Sequence, residues 1–221
     1  MPERSARASV TAPETAEAVV SKSAWQERAR AILGPAVAML AAMGATPTSV
    51  TIFGLLLNIA SGIVVGYGHA RAAGLILILA GVCDALDGQL ARRTGKTSRF
   101  GAFLDSSIDR IDESVVLAGI AAYFWRTQPE HAGALIVATL LTLGGSLITS
   151  YTRARAEGLG LECKVGVFER PERVVVTVLG LLIGPRALAG AVVLILVLSW
   201  TTVVQRIVHV RRTVARLESG G

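Results

Sequence analysis

Residues 83–110, CDALDGQLARRTGKTSRFGAFLDSSIDR, place four aspartates between long runs of leucine, isoleucine, valine and alanine. These aspartates are Asp84, Asp87, Asp105 and Asp109. On an α-helix, residues three or four positions apart lie on one face, so each pair projects from one side of its helix. Gly95 and Gly101 let the chain turn between the pairs, so two antiparallel helices can bring them together. We therefore expect four carboxylates to converge near one end of a helical bundle.

The composition around this stretch is that of a membrane protein. Of 221 residues, 52% are hydrophobic and 17% are charged, and the mean hydropathy is +0.57. The formal net charge is +6, but the basic residues lie mostly at the ends of apolar segments, which argues against a nucleic-acid partner. The two cysteines, Cys83 and Cys163, give neither a disulfide framework nor a metal-binding spacing.

Six segments meet or approach the length of about 20 apolar residues that a helix needs to cross the hydrocarbon. They are 50–68, 72–92, 102–125, 132–152, 174–183 with a polar beginning at 170–173, and 188–208. The predicted fold is therefore an all-α integral membrane protein with six transmembrane helices.

The segments outside these spans complete the predicted organisation. Residues 24–45 have a short apolar part followed by Gly44 and Pro47, which favours an amphipathic helix in the membrane interface; a seventh span is the alternative. Residues 1–23 lack the apolar core of a signal peptide and are predicted to form a disordered cytoplasmic tail. The six-helix domain then occupies 46–210, followed by a cytoplasmic tail at 211–221.

The lysines and arginines predict the orientation. Of 22, Arg71, Arg126 and Arg186 fall on one side of the six spans and Arg110 lies within a helix, which leaves eighteen on the other side. This count predicts a multi-pass protein of the plasma membrane with both termini and the aspartates in the cytoplasm.

Four carboxylates beside hydrocarbon need positive partners, because each ionised acid there costs about 3 kcal/mol. Hard divalent cations, Mg²⁺ or Mn²⁺, prefer oxygen ligands, and two such ions suit a diphosphate substrate. Two alternatives remain. The acids could form salt bridges with neighbouring arginines, or they could line the ion pathway of a transporter, which would place them near mid-membrane.

The pattern Asp84-x2-Asp87-Gly88-x2-Ala91-Arg92-x8-Gly101-x3-Asp105-x3-Asp109 resembles the signature of the CDP-alcohol phosphotransferase family. Enzymes of this family displace CMP from a CDP-linked lipid with an alcohol. The resemblance implies that the four aspartates hold the metals and that Asp109 is the general base. It implies CDP-diacylglycerol or CDP-archaeol as the lipid substrate, and a homodimer.

The same resemblance assigns contacts with the CDP-lipid at two places. Gly88 would let the nucleotide approach the helix backbone, and Arg92 can donate two hydrogen bonds to a phosphate. Many relatives carry Asp or Asn where this chain has Thr48, so at this position the chain departs from the family pattern. The assigned CDP-lipid residues are Thr48, Ser49, Val50, Thr51, Gly88, Arg92 and Ser98.

Residues 150–173, SYTRARAEGLGLECKVGVFERPER, gather basic residues in one cytoplasmic loop and its helix ends. Ordinary enrichment of cytoplasmic loops in positive charge is one explanation. A helix beginning beside several arginines also suits a phosphate, so the acceptor alcohol is expected to be phosphorylated.

This loop resembles that of the phosphatidylinositol phosphate synthases and the archaetidylinositol phosphate synthases, which implies inositol phosphate as acceptor. The alternative is glycerol 3-phosphate, as in phosphatidylglycerol phosphate synthesis. The residues assigned to the acceptor phosphate are Arg153, Arg155, Lys164, Arg170 and Arg173.

Overall fold

The computed structural model describes residues 32–219, and these residues form seven α-helices and no strand. The helices are α1 (Ile32–Ala42), α2 (Pro47–Gly66), α3 (Ala70–Arg93), α4 (Arg99–Thr127), α5 (Ala132–Gly158), α6 (Arg170–Ile183) and α7 (Pro185–Ser219). The all-helical fold class is as predicted.

The chain divides into two compact units, which meet at residues 45 and 46. In the described residues, the first unit contains α1, which falls within the segment predicted as an interfacial helix. The predicted tail at 1–23 and residues 24–31 lie outside the described residues. An interfacial position for α1 therefore stays a prediction.

Each of the six predicted spans is a helix in the second unit. Helices α2, α3, α4 and α7 begin two or three residues earlier than predicted, while α5 begins at the predicted residue and α6 includes the polar beginning at 170–173. Four of these helices, α2, α3, α5 and α7, are long and apolar enough to cross a membrane. The other two helices do not meet this criterion of length and apolar composition. Helix α4 carries several charges in its first half, and α6 has only 14 residues. The segment predicted as a tail from residue 211 continues α7 as far as Ser219.

Helices α2 to α7 pack as a closed ring, in the order α3, α2, α4, α5, α7, α6 and back to α3. The largest buried apolar side chains include Ile120, Phe124, Leu181 and Leu188. They come from the end of α4, the end of α6 and the start of α7, so the apolar core lies at one end of the ring. The aspartates come from the end of α3 and the start of α4, and therefore lie at the opposite end.

The crossing of α2 and α4 depends on two glycines. A Cβ atom on Gly119 would lie 2.1 Å from the carbonyl oxygen of Gly62, and one on Gly62 would lie 2.7 Å from the carbonyl oxygen of Val115. No side chain fits at either position, because the obstructing atoms belong to the backbone. Small residues allow this close approach between helices in membranes.

We predict that Gly119→Ala lowers the midpoint of thermal unfolding in detergent by several degrees, since overpacking costs about 1–3 kcal/mol. The matched control is Gly144→Ala on α5, where nothing among the described residues lies within 4 Å of an added Cβ. Equal midpoints for the two variants, measured by intrinsic fluorescence, would contradict the packing argument.

Candidate active site

Three of the four predicted aspartates form a cluster at the polar end of the ring. Asp84 comes from α3, and Asp105 and Asp109 come from successive turns of α4. Each offers one carboxylate oxygen, and these three oxygens lie within 4.8 Å of one another. Antiparallel packing on the shared neighbour α2 brings the two helix ends together.

The fourth aspartate, Asp87, lines the same cavity but has a different environment. This cavity has a volume of about 210 Å³ and is called the carboxylate cavity below. Asp87 is buried, and its Oδ2 atom accepts a hydrogen bond of 2.7 Å from Thr51 Oγ1. Thr51 therefore orients one oxygen of Asp87 from the neighbouring helix α2.

The donor set of the carboxylate cavity fits a hard divalent cation. An ion such as Mg²⁺ takes oxygen ligands at about 2.0–2.1 Å, so oxygens up to 4.8 Å apart can share one ion after small side-chain movements or flank two ions. Carboxylates alone favour Mg²⁺ or Mn²⁺ over zinc, which prefers nitrogen and sulfur ligands.

Arg170, at the start of α6, inserts its guanidinium among these acids. Its Nη1 atom lies 3.2 Å from Asp84 Oδ1 and 3.0 Å from Asp109 Oδ1. Its Nη2 atom lies 3.4 Å from Asp112 Oδ2. Arg170, one of the residues predicted to bind the acceptor phosphate, thus also contacts the carboxylate cluster.

A second cavity of about 190 Å³, called the cationic cavity below, adjoins the first and shares Asp109 and Arg170 with it. Five arginines and three acids are among the described residues that line it, a surplus of two positive charges. A phosphate monoester carries about −1.5 to −2 at neutral pH, so this surplus matches one phosphate group. The charged residues are Asp109, Arg110, Glu113, Arg153, Glu169, Arg170, Arg173 and Arg206.

Arg173 is the most firmly held of the predicted acceptor residues. It is 3% exposed, and its Nε and Nη2 atoms donate to the two carboxylate oxygens of Glu113 at 2.7 and 3.4 Å. A two-point contact of this kind fixes the plane of the guanidinium.

Arg155 and Lys164, also predicted to bind the acceptor phosphate, lie elsewhere. Arg155 is exposed, and Lys164 Nζ pairs with Glu162 at 2.5 Å. Among residues 32–219, neither belongs to the set that lines the cationic cavity. Arg153 does line it, and its Nε atom donates to Glu157 Oε1 at 2.9 Å.

Arg206 lines the cationic cavity although sequence reasoning did not single it out. It is 3% exposed; its Nε donates to Val165 O at 2.9 Å and its Nη1 to Thr149 O at 2.5 Å. The sequence did offer a signal for Arg206. A charged residue inside an apolar membrane span is usually functional or paired, and Arg206 lies inside the last predicted span.

Asp112 and Glu113 were also missed. They follow Asp109 by three and four residues on α4, so helical spacing from the predicted base would have placed them on the same face.

The predicted CDP-lipid residues gather at the same end of the ring, and of these Thr51 lines the carboxylate cavity. A Cβ added to Gly88 would lie 3.6 Å from Arg92 Nη1, so this guanidinium covers the glycine. Ser98 is the N-cap of α4, where its Oγ accepts a hydrogen bond of 2.9 Å from Gly101 N. The remaining three, Thr48, Ser49 and Val50, form the first turn of α2.

Residues 44–214 match the CDP-alcohol phosphatidyltransferase family, and the chain belongs to this family. It is therefore a transferase of phospholipid biosynthesis and a multi-pass membrane protein. The predicted resemblance is confirmed.

Individual relatives narrow the comparison. The chain is 39% identical over 184 residues to an archaetidylinositol phosphate synthase of Pyrococcus horikoshii, covering 82% of this chain and 90% of the relative. A crystal structure of Mycobacterium tuberculosis phosphatidylinositol phosphate synthase with CDP-DAG bound matches with a TM-score of 0.73 at 34% identity, covering 80% and 92% of the two chains. The same M. tuberculosis enzyme in complex with manganese and citrate gives a TM-score of 0.74 at 34% identity, covering 80% and 87%.

Proposed function

We propose that this chain transfers the phosphatidyl group of CDP-diacylglycerol, or the equivalent group of CDP-archaeol, to inositol phosphate, and releases CMP. The observation that carries this proposal is the contact between two cavities of opposite charge that share Asp109 and Arg170. One suits the metal-bound diphosphate and the other a phosphorylated alcohol. The relatives named for inositol phosphate products support the choice of acceptor.

Two divalent ions, Mg²⁺ or Mn²⁺, are proposed to be held by Asp84, Asp87, Asp105 and Asp109. When bound, such ions neutralise the diphosphate and stabilise the departing CMP. The convergence of the three clustered carboxylates and the manganese in the M. tuberculosis structure support this assignment.

Asp109 is proposed as the general base that takes the proton from the attacking hydroxyl. A base must reach that hydroxyl within hydrogen-bond distance, and Asp109 lies on the wall of both cavities, where lipid phosphate and alcohol would meet. The hydroxyl oxygen then bonds to the lipid phosphorus while the bond from that phosphorus to the CMP oxygen breaks.

The CDP-lipid is proposed to lie along the first turn of α2, the end of α3 and the start of α4. Arg92 above Gly88 would donate to a phosphate, and Thr51 would keep Asp87 oriented. The proposed contacts are those predicted from the sequence: Thr48, Ser49, Val50, Thr51, Gly88, Arg92 and Ser98.

The acceptor phosphate is proposed to lie in the cationic cavity, between α4, α5, α6 and α7. Arg206 joins the predicted set because it lines this cavity. Arg155 and Lys164 are retained from the predicted set although they do not line the cavity, because their charge would attract a phosphorylated alcohol from solution. The proposed acceptor residues are Arg153, Arg155, Lys164, Arg170, Arg173 and Arg206.

The topology is proposed to comprise six spans, an interfacial α1 and both termini in the cytoplasm, in the plasma membrane and as a homodimer. At 29 residues, α4 is about 43 Å long, which exceeds the hydrocarbon thickness, so its charged half can lie outside. The short α6 would begin at the level of the site and cross with its apolar remainder.

A CMP-release assay tests the function. Purified protein with Mn²⁺ or Mg²⁺ and CDP-diacylglycerol is expected to release CMP with inositol 1-phosphate, and chelation with EDTA to stop the release. Glycerol 3-phosphate tests the alternative acceptor. Free inositol and serine, which lack the phosphate, are expected to be inactive, and release with either alone contradicts the role of the cationic cavity. Absence of CMP with every acceptor would instead favour an ion carrier.

Asp109→Asn is expected to abolish CMP release while leaving binding of CDP-diacylglycerol largely intact, because the amide cannot accept the proton. Binding is measured by equilibrium dialysis of labelled lipid in detergent. Glu130→Gln, which replaces an exposed acid between α4 and α5, serves as the control with unchanged turnover. Normal turnover in Asp109→Asn would eliminate this residue as the base.

Arg153→Gln is expected to raise the KM for the phosphorylated acceptor about tenfold or more and to leave the KM for CDP-diacylglycerol unchanged. The reason is the loss of a charge-assisted hydrogen bond, about 1.5–3 kcal/mol. Arg211→Gln removes a charge from an exposed position on α7 and should alter neither constant. An equal rise in both KM values for Arg153→Gln would argue against a specific acceptor contact.

A further inference from the structure

A third, smaller cavity of about 40 Å³ lies inside the ring, beneath the carboxylate and cationic cavities. It shares Asp112 and Arg170 with the first, and Arg170 and Arg173 with the second. Its wall is partly polar, with Asn58, Thr142 and Thr177 beside apolar side chains. We call it the interior cavity.

Two buried charged groups on its wall each have one atom without a partner. Asp112 is 6% exposed and Arg173 is 3% exposed. Asp112 Oδ2 contacts Arg170, and Arg173 Nε and Nη2 contact Glu113. Asp112 Oδ1 and Arg173 Nη1, by contrast, have no hydrogen-bond partner among the described residues.

Buried polar atoms are almost always partnered, because leaving a charged group unpaired is costly. The two atoms need partners of opposite kinds. Arg173 Nη1 is a donor and needs an acceptor, whereas Asp112 Oδ1 is an acceptor and needs a donor. Water can accept from the first and donate to the second. A water centre needs about 10–15 Å³ of accessible volume, so a cavity of about 40 Å³ has room for one to three molecules.

We propose that the interior cavity binds ordered water that links Arg173 Nη1 to Asp112 Oδ1, and that Asp112 is a positioning residue for both Arg170 and Arg173. The polar chain then runs from Asp109 through Arg170 and Asp112 to the water, and from the water to Arg173. It connects the carboxylate cavity to the cationic cavity. Its effect is to hold the two arginines in fixed orientations relative to the base.

The water itself is tested by a structure at a resolution of about 2 Å or better, determined for the wild type and for Asp112→Asn and Asp112→Leu. Density for water is expected within hydrogen-bond distance of Arg173 Nη1 in the wild type and in the Asn variant, whose amide can keep its oxygen for Arg170 and donate from its nitrogen to the same water. The isosteric Leu variant should lose the molecule that bridges to residue 112. A well-ordered wild-type cavity without such density, or with Asp112 and Arg173 in direct contact, overturns the proposal.

The positioning role is tested by steady-state kinetics, and this readout rests on the proposed function. Asp112→Leu is expected to raise the KM for inositol 1-phosphate about tenfold or more, with a smaller effect on the KM for CDP-diacylglycerol. Asp112→Asn should restore most of the affinity for the acceptor. Equal losses in the two variants would refute positioning through the water.

Ser199→Ala is the matched control. Ser199 Oγ is also buried and unpartnered within residues 32–219, but it does not line the interior cavity, so its removal should leave both KM values unchanged. If Asp112→Leu does not fold, the wild-type and Asn structures still decide the water site. If the wild type uses no phosphorylated acceptor, the proposed function and the positioning role both fail. The water site is decided separately, by the electron density of the wild-type structure.

Discussion

The ion pairs of Arg170 hold the polar end of the ring together. One guanidinium from α6 lies within 3.4 Å of acids from α3 and α4, namely Asp84, Asp109 and Asp112. Acids this close would repel one another strongly in a site of low dielectric constant. The start of α6 adds the positive end of its helix dipole at the same place. The helix has only 14 residues, and its first residue offsets part of the negative charge that α3 and α4 bring together.

This arrangement gives the two ends of the ring different properties. At the apolar end, Phe124 and Leu181 are fully buried, and the close contact between Gly62 and Gly119 determines how near α2 and α4 approach. At the polar end, four charged side chains are buried among the described residues, Asp87, Asp112, Arg173 and Arg206, and the last three form ion pairs. Since α4 is long enough to take part in both, packing at Gly119 affects how Asp105 and Asp109 face α3. The stability of the apolar end and the geometry of the carboxylates are therefore coupled through one rigid helix.

Local spacing made the carboxylate cluster predictable. The position of Asp84 relative to Asp105 and Asp109 depends only on the periodicity of two consecutive helices and on the short loop that joins them. The six helices were predictable from apolar length for the same reason. Contacts between distant helices were not predictable in this way. Arg153 and Arg155 look equivalent in sequence, yet residues two positions apart point in very different directions around a helix, so only one of them faces the cationic cavity. Charge counting placed Arg206 among the cytoplasmic basic residues, and that orientation stays a prediction. Its burial by hydrogen bonds to Thr149 and Val165 could not be predicted from the count.

Arg206 also shows how the cationic cavity differs in construction from the carboxylate cavity. The aspartates come from two helix ends alone, whereas Arg206, on the wall of the cationic cavity, also donates from its Nε atom to the carbonyl oxygen of Val165 in the loop between α5 and α6. The next residue, Gly166, has φ +140°, and a Cβ there would lie 2.5 Å from Thr202 Cγ2, so the loop can pack on α7 only with glycine at this position. Because one guanidinium both lines the cationic cavity and supports the loop, the orientation of Arg206 in the cavity depends on the loop conformation. A change in this loop would therefore act on the cationic cavity through Arg206, while the carboxylates of α3 and α4 are held by their own helices.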